Sequence, residues 1–420
     1  MSNGGRRLRL ATFAVPLSGN KGSASMLLGL RDAFHTAGVD AHFSVFSYYP
    51  KRDAAIAAGM SDVSVHAGHP KHILVLLPMI VLRAILPALV PSSWKRDVDA
   101  LRDSDGILLV GGTTFEDSML YKVPWNLLAA LPGYWLRRPT VFLSQTIGPV
   151  RHPLNRMLAR WTLSRARDVH GRGRRSDAWV HKIGVEHASY QPDLSFAMAV
   201  PAFDDVADRN EVVGRFRERL RAEKRTFVGF APNSIVFTKA KKRGIDYIAF
   251  MAGVMQKAHE QGHFPVLIPH SYRDDVSQIH NNDRSLCIAI RQLLPEHVDH
   301  FYVDADLTSQ ELRAMIGQLH LLVASRFHSM ISSLSMGVPP ITYGWGDHKY
   351  LEVLEEFNVP ELYATFDALD VAAFAPRLQR FHAERDDLSR RIVAAGETVK
   401  PQSLSIPDII ARAIDAGGAR

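Results

Sequence analysis

Short apolar runs alternate along this chain with stretches in which apolar residues recur every third or fourth position. That is the pattern of buried strands joined by amphipathic helices. "GILLVGG" (106–112) and "TVFLSQTIG" (140–148) read as strands, with helices predicted over 125–131 and 154–164, and "DVHGRG" follows. The opening "RLRLATFAVPLSG" sets arginines before apolar residues, as a signal peptide does. Arg9, Thr12 and Pro16 interrupt it, however, and a Gly-rich turn and a helical pattern follow, so it reads as the first strand. A polar and charged stretch, 201–225, supplies a connection and an exposed helix.

A second set of elements begins there. Strands are expected at "TFVGFAPNS" (226–234), "FPVLIPHS" (264–271), "VDHFYVDAD" (298–306), "LLVAS" (321–325) and "VPPITYG" (338–344). Helices are expected over 247–261, 276–293, 309–319 and 329–336. This alternation predicts βα units on parallel sheets. The expected fold class is α/β, with two doubly wound Rossmann-like domains facing a cleft, over 1–205 and 206–420; the helices from Ala372 onward suit either domain. No short-period repeat or low-complexity tract interrupts the pattern.

One segment departs from it. Residues 73–90 carry a single charge, Arg83, and the prolines Pro78 and Pro87, between basic and aromatic flanks that include Lys71, His72, Trp94, Lys95 and Arg96. Its 18 residues barely match the roughly 20 needed to cross a bilayer, and the prolines break a helix. Contact with a membrane surface, burial in a core or protein interface, and a true span, the least favoured, are the three readings.

Composition is that of an ordinary globular protein, 46% apolar and 22% charged over 420 residues. The net charge of +7 and pI near 9.4 suit anionic small molecules or an anionic membrane surface; with no long Lys/Arg run, nucleic acid is not an expected partner. The single cysteine, Cys287, excludes an internal disulfide and fits a reducing, cytoplasmic compartment, with the apolar segment adding a peripheral place on the inner face of the membrane.

In open parallel sheets, ligands collect at the carboxyl ends of strands. Asn20 and Gly22 follow the first predicted strand; Gly111, Gly112 and Asp117, Gln145 and Gly148, and Arg172 follow others in the first half. Asn233, His270, and the pair Arg326 and His328 do so in the second. The glycines suit tight turns, Asn20 and Asp117 suit helix caps, and His270 suits a buried hydrogen-bonded ring. Arg172 and Arg326 are harder to place structurally, because arginine is rarely buried without a partner. No G-x-x-x-x-G-K-[ST] loop, complete G-x-G-x-x-G, H-E-x-x-H or G-x-S-x-G occurs, which removes support for a nucleotide cofactor, a catalytic metal and a hydrolase elbow.

The segments "GNKGSASMLLGL", "GGTTFED", "SQTIGPV", "GRGRRSDAWVHKIG", "QPDLSF" and "SRFHSMISSLSMGVPPITYGWGDHK", in this order and spacing, resemble the polysaccharide pyruvyl transferase family. The resemblance implies a GT-B-like fold and transfer of pyruvate from phosphoenolpyruvate onto sugar hydroxyls as a ketal. The first domain would be the acceptor side and the second the donor side. It matches the family's Arg-x-His to Arg326, which would bind donor, and His328, which would be essential. It matches Arg-x-x-x-Ser to Arg172 and Ser176, with Arg172 facing the same anion. The family's Asn-x-Gly-Asp is kept at Asn20 and Gly22 but ends in Ser23, which removes a carboxylate.

A donor with a carboxylate and a phosphate wants arginine's planar fork, and a proton transfer near neutral pH wants histidine. His328 is accordingly the candidate general acid, and Asp117 a candidate to assist ketal closure. The expected partners are phosphoenolpyruvate and a cell-envelope glycan or lipid-linked sugar acceptor, with no separate cofactor and no metal. Two alternatives stand beside this reading: a nucleotide-sugar glycosyltransferase, against which no Glu-x7-Glu pair occurs, and a non-catalytic subunit of an envelope-glycan synthesis complex.

Overall fold

A computed structural model describes residues 6–13, 15–117, 121–277, 281–345 and 348–416. The chain divides into two compact units, one of 1–18, 23–198 and 400–420, the other of 19–22 and 199–399.

In the first unit β1 (Leu8–Phe13), β2 (Ala41–Ser47), β3 (Val63–Ala67), β4 (Gly106–Phe115), β5 (Thr140–Ile147), β6 (Asp168–Gly171) and β7 (Ala188–Tyr190) form one sheet. Their order is β3-β2-β1-β4-β5-β6-β7, every neighbouring pair parallel. Between the strands run α1 (Lys21–Thr36), α2 (Pro50–Ala57), α3 (Pro70–Ile85), α4 (Ser92–Arg102), α5 (Lys122–Trp135), α6 (Pro153–Leu163) and α7 (Arg174–Lys182). Strands buried on both faces need near-continuous apolar sequence. "ILLV" of β4 and "VFL" of β5 supply it, and on one face Ile107, Leu109 and Phe142 join side chains of α3, α5 and α6 in one core.

The second unit carries β8 (Thr226–Ala231), β9 (His263–Leu267), β10 (Phe301–Tyr302), β11 (Leu321–Ala324), β12 (Pro340–Gly344) and β13 (Tyr363–Thr365). Their order is β10-β9-β8-β11-β12-β13, again all parallel. Its helices are α8 (Phe203–Arg209), α9 (Glu211–Ala222), α10 (Ser234–Lys241), α11 (Tyr247–Glu260), α12 (Asp283–Leu293), α13 (Ser309–Ile316), α14 (Phe327–Ser335), α15 (Lys349–Glu356) and α16 (Val371–Ala383). α17 (Arg385–Leu404) carries the chain past Lys400, and α18 (Ile406–Asp415) belongs to the first unit. The strand order reverses between β8 and β11, whose carboxyl ends at Ala231 and Ala324 are paired with each other. Such a switch point is where doubly wound sheets bind ligands.

Several expectations need correction. The boundary expected at 205 falls at 198, and the terminal segment returns to the first unit. β4 runs through Gly111 and Gly112 to Phe115 rather than turning there, and bare Gly111 sits where a Cβ would stand 2.8 Å from the Ser144 carbonyl oxygen of β5. The helix expected from 276 begins at Asp283, where Asn282 has extended backbone; residues 278–280 lie outside the described residues. Segment 73–90 is two elements, α3 and a 3-10 turn Pro87–Leu89, and it joins the first two readings: Ile73, Leu76, Leu77 and Ile80 are core while Leu74 and Ile85 are exposed. Among the described residues no helix is long and apolar enough to cross a membrane.

Candidate functional site

The switch point of the second sheet is built from the ends of β8 and β11. β11 stops at Ala324 and α14 begins at Phe327, so Arg326 is the residue that caps the helix and His328 lies in its first turn. The sequence alone allows a continuing strand to carry both side chains to one face. Helical backbone from Phe327 separates them instead. Arg326 is buried, and its guanidinium grips Asp283 of α12 bidentately, Nε to Oδ2 at 2.8 Å and Nη2 to Oδ1 at 2.7 Å. Nη2 also donates to Ser234 Oγ at 3.1 Å, and the Ser234 amide donates to Asp283 Oδ1 at 3.1 Å. Only Nη1 is lightly used, at 3.4 Å from Asn281 Oδ1. Two charges this deeply buried persist because each satisfies the other, and the arginine is thereby held rigid with one amino group turned outward from the pair.

His328 packs against Gly22. A Cβ on residue 22 would overlap Nδ1 and Cγ of the ring and stand 2.6 Å from the histidine's own Cβ, so the closeness of the two depends on the glycine. Asn20 folds the same turn, its Oδ1 accepting from the Gly22 amide at 3.0 Å, and Asn20 bridges to Ser271. Lys21, between them, pairs with Asp306; its amide donates to the His270 carbonyl at 3.3 Å, and its own carbonyl accepts from Ser309 Oγ at 2.7 Å. The sequence-predicted residues Asn20, Gly22, His270, Arg326 and His328 therefore gather within the second unit.

At their centre His270 is 2% exposed. Burial, and then the positive groups of His328, Arg326, Arg313 and Lys21, hold its pKa well below the usual histidine value, so the ring is neutral. Its Nδ1 is buried and has no hydrogen-bond partner among the described residues, and the same holds for Ser325 Oγ beside Arg326. Orphaned polar atoms are expensive to bury. Two of them near the Arg326–Asp283 pair, next to a helix whose N-cap residue, Arg326, makes no side-chain cap, make a site suited to an oxygen-rich anion. Asn233 is occupied differently. It caps α10 through Oδ1 to the Ile235 amide at 2.8 Å, and its Nδ2 donates to the Ser325 carbonyl at 2.8 Å, tying β8's exit to β11's.

Lys21, Arg313, Asp283 and Asp306 are not evident from sequence. Arg313 sits on the buried face of α13 among Leu312, Met315 and Ile316, where a charge inside an apolar period was the available signal. Gly346 and Asp347 of the C-terminal motif lie outside the described residues.

In the first unit, Arg172 leaves β6 and is buried. Nη1 donates to Asp193 Oδ2 at 2.7 Å, while Nε and Nη2 donate to Thr146 Oγ1 of β5 at 3.1 and 2.6 Å. Ser176 accepts the Ile147 amide at 3.3 Å. Asp117 clamps a loop: Oδ2 accepts from the amides of Arg151 and of His152, the latter at 2.8 Å, and Oδ1 from Asn155 Nδ2 at 3.1 Å. Burial raises its pKa, but those hydrogen bonds outweigh it and hold the carboxyl below its usual range. A carboxylate so occupied is a poor proton acceptor, which removes the reason for giving Asp117 ketal closure.

Comparison with known proteins gives this geometry a family. The polysaccharide pyruvyl transferase family model matches residues 20–348. The amylovoran biosynthesis protein AmsJ of Erwinia amylovora is 21% identical over 399 residues, covering 90% of this chain and 93% of that protein. Among solved structures, a putative UDP-N-acetylglucosamine 2-epimerase of Listeria monocytogenes matches with a TM-score of 0.60 at 10% identity, covering 97% of this chain and 96% of that one. MnaA of S. aureus with UDP gives 0.59 at 10% identity and 96% coverage of both chains. HepE of Anabaena with UDP-glucose gives 0.56 at 12% identity, covering 98% and 99%. At such identities the likeness is one of fold, and the fold is GT-B-like.

Proposed function

Because the chain belongs to the polysaccharide pyruvyl transferase family, a family of transferases in polysaccharide biosynthesis, we propose that it moves the enolpyruvyl unit of phosphoenolpyruvate onto two hydroxyls of an envelope glycan or its lipid-linked precursor. The observation that carries this reading is the buried, neutral His270 with an unpartnered Nδ1, beneath the positive groups of Lys21, Arg313, Arg326 and His328. A trianionic donor suits that charge. In this reading Arg326 Nη1 and the first amides of α14 hold the donor's anionic oxygens, and His328 protonates the methylene carbon of the enol. One sugar hydroxyl then attacks the carbon left electron-poor, its proton passing to the His328 ring that has just given one up. A second hydroxyl displaces phosphate from that carbon, its proton leaving with the phosphate, and the ketal is closed. Working beside the membrane suits a lipid-linked acceptor, and Arg172 in its ion pair with Asp193 is assigned to substrate binding in the first unit.

Phosphate release tests this. Phosphoenolpyruvate with a panel of glycosides should yield inorganic phosphate, and His328→Ala should lower the rate by roughly a hundredfold or more, the range for loss of a general acid. Phosphoenolpyruvate should also raise the unfolding midpoint of the wild-type protein. Protection by UDP-sugars with none from phosphoenolpyruvate would replace the reading with a glycosyltransferase, and indifference of every readout to His328→Ala would point to a non-catalytic subunit.

A further inference from the structure

On the outer face of the first unit formed by α3, α5 and α6, large apolar side chains reach solvent beside exposed cations. A surface helix normally turns polar residues outward. α3 does not: its inner side enters the core, yet Leu74 and Ile85 on the other are 59% and 69% exposed, and the following turn adds Leu86 and Leu89. The surface continues onto α5, where Trp125 meets His69 edge-on at 5.9 Å just before α3, and Tyr121 meets Trp125 at 6.0 Å. At the other end of α5, Tyr134 meets Trp161 of α6 edge-on at 6.0 Å. Exposed Met157 and Leu154 extend the face along α6.

Beside those last residues lies an open pocket of about 690 Å³, with Arg156, Arg160, Arg165 and Lys182 in its wall and no acidic residue. None of these four cations has a carboxylate partner among the described residues. Arg165 stacks on Trp161 at 4.0 Å. Gly184, with φ of +86°, leaves room for Arg160, whose guanidinium lies 3.3 Å from the place a Cβ would take. Unneutralised cations gathered around an apolar and aromatic surface match a layer of phosphates above hydrocarbon.

We propose that the α3–α5–α6 face docks on an anionic phospholipid bilayer, its aliphatic and indole side chains entering the headgroup layer while the basic pocket takes lipid phosphate. A second copy of the chain fits less well, since a two-fold contact would set the same arginines against each other. The inference rests on the lipid-linked acceptor reading only for its purpose, which is to bring the enzyme to a membrane-held substrate.

The test is cosedimentation of the full chain with vesicles of phosphatidylcholine alone and of phosphatidylcholine with phosphatidylglycerol, in the absence of donor and acceptor. Wild type should bind the anionic vesicles, and binding should weaken as salt rises. The double variants Leu74→Glu/Ile85→Glu and Arg156→Glu/Arg160→Glu, confirmed as folded by thermal unfolding, should each bind about tenfold or more weakly. Absence of binding to anionic vesicles, or variants that bind as wild type does, would overturn the proposal. So would a dimer in sedimentation velocity that the Leu74→Glu/Ile85→Glu variant splits. Phosphate release with a soluble glycoside is measured separately, so failure of docking leaves the pyruvyl transfer reading standing, and failure of transfer leaves docking standing.

Discussion

Gly22 and His328 are the residues whose relation is most exposed to test. Position 22 lies in the first turn of α1, where alanine is compatible with the helix, so Gly22→Ala leaves α1 itself able to form. The added methyl nevertheless overlaps the His328 ring. Rotating that ring away does not clear the contact, because the histidine's Cβ, fixed by its backbone, would be 2.6 Å from the methyl. The start of α14 must shift, and a displacement of the order of 1 Å in a reacting group costs roughly a hundredfold in rate. We expect Gly22→Ala to lower kcat/KM for phosphate release by about that factor and, because the clash must be relieved by a backbone shift, to cost about 1–3 kcal/mol of stability while the protein still folds; full activity would separate the glycine from the chemistry.

At the scale of elements, α3 depends on a polar fixture as well as its apolar face. Asp97 of α4 accepts from His66 Nδ1 at 2.8 Å and from His72 Nε2 at 2.9 Å, and His72 stacks on Trp94 at 4.2 Å. Asp97→Asn turns one acceptor into a donor facing a ring nitrogen and should destabilise the protein by about 2 kcal/mol, read as a lower urea midpoint with an unchanged slope. Such fixtures were illegible in the sequence, as were β2, β3, β7 and β13. The longer apolar runs were legible: β4, β5, β8 and β11 are buried on both faces, so their composition declares them. β7 and β13 are three-residue strands, too short for a period to form. The strand-end residues Arg326 and His328 stood out because cations directly follow a buried strand. Their partner Asp283 did not, since pairing across 43 residues is a property of the sheet order and leaves no local mark. Asn233 and Asp117 show the converse, residues well placed for chemistry whose hydrogen bonds are spent on a cap and a loop.

For the molecule as a whole, the sign of the histidine shifts fixes how stability responds to acid. His263 at the start of β9 and His320 just before β11 both meet His382 of α16, ring centroids 4.7 Å away in each case, and His263 Nδ1 lies 2.6 Å from Thr226 Oγ1. Burial first, and then the nearby His382, push both rings down to about 4. In the unfolded chain they titrate near 6.5. Between those values the unfolded state binds protons that the folded state refuses, so stability present above pH 6.5 is lost as the pH falls toward 4. His42, His259 and His270 are depressed too and act in the same sense. Asp62, Asp97 and Asp168 are held below the usual carboxylate range, and their contribution disappears only at lower pH. Linkage alone gives about 3 kcal/mol for each ring, and solvent screening of these partly solvated groups brings the pair's share down to roughly 3 kcal/mol across the window. Denaturation midpoints at a series of pH values from 7.5 to about 4 should therefore decline for wild type, and decline less steeply for His263→Gln/His320→Gln whatever that variant's starting stability. Parallel curves for the two proteins would assign the acid sensitivity to the other buried histidines.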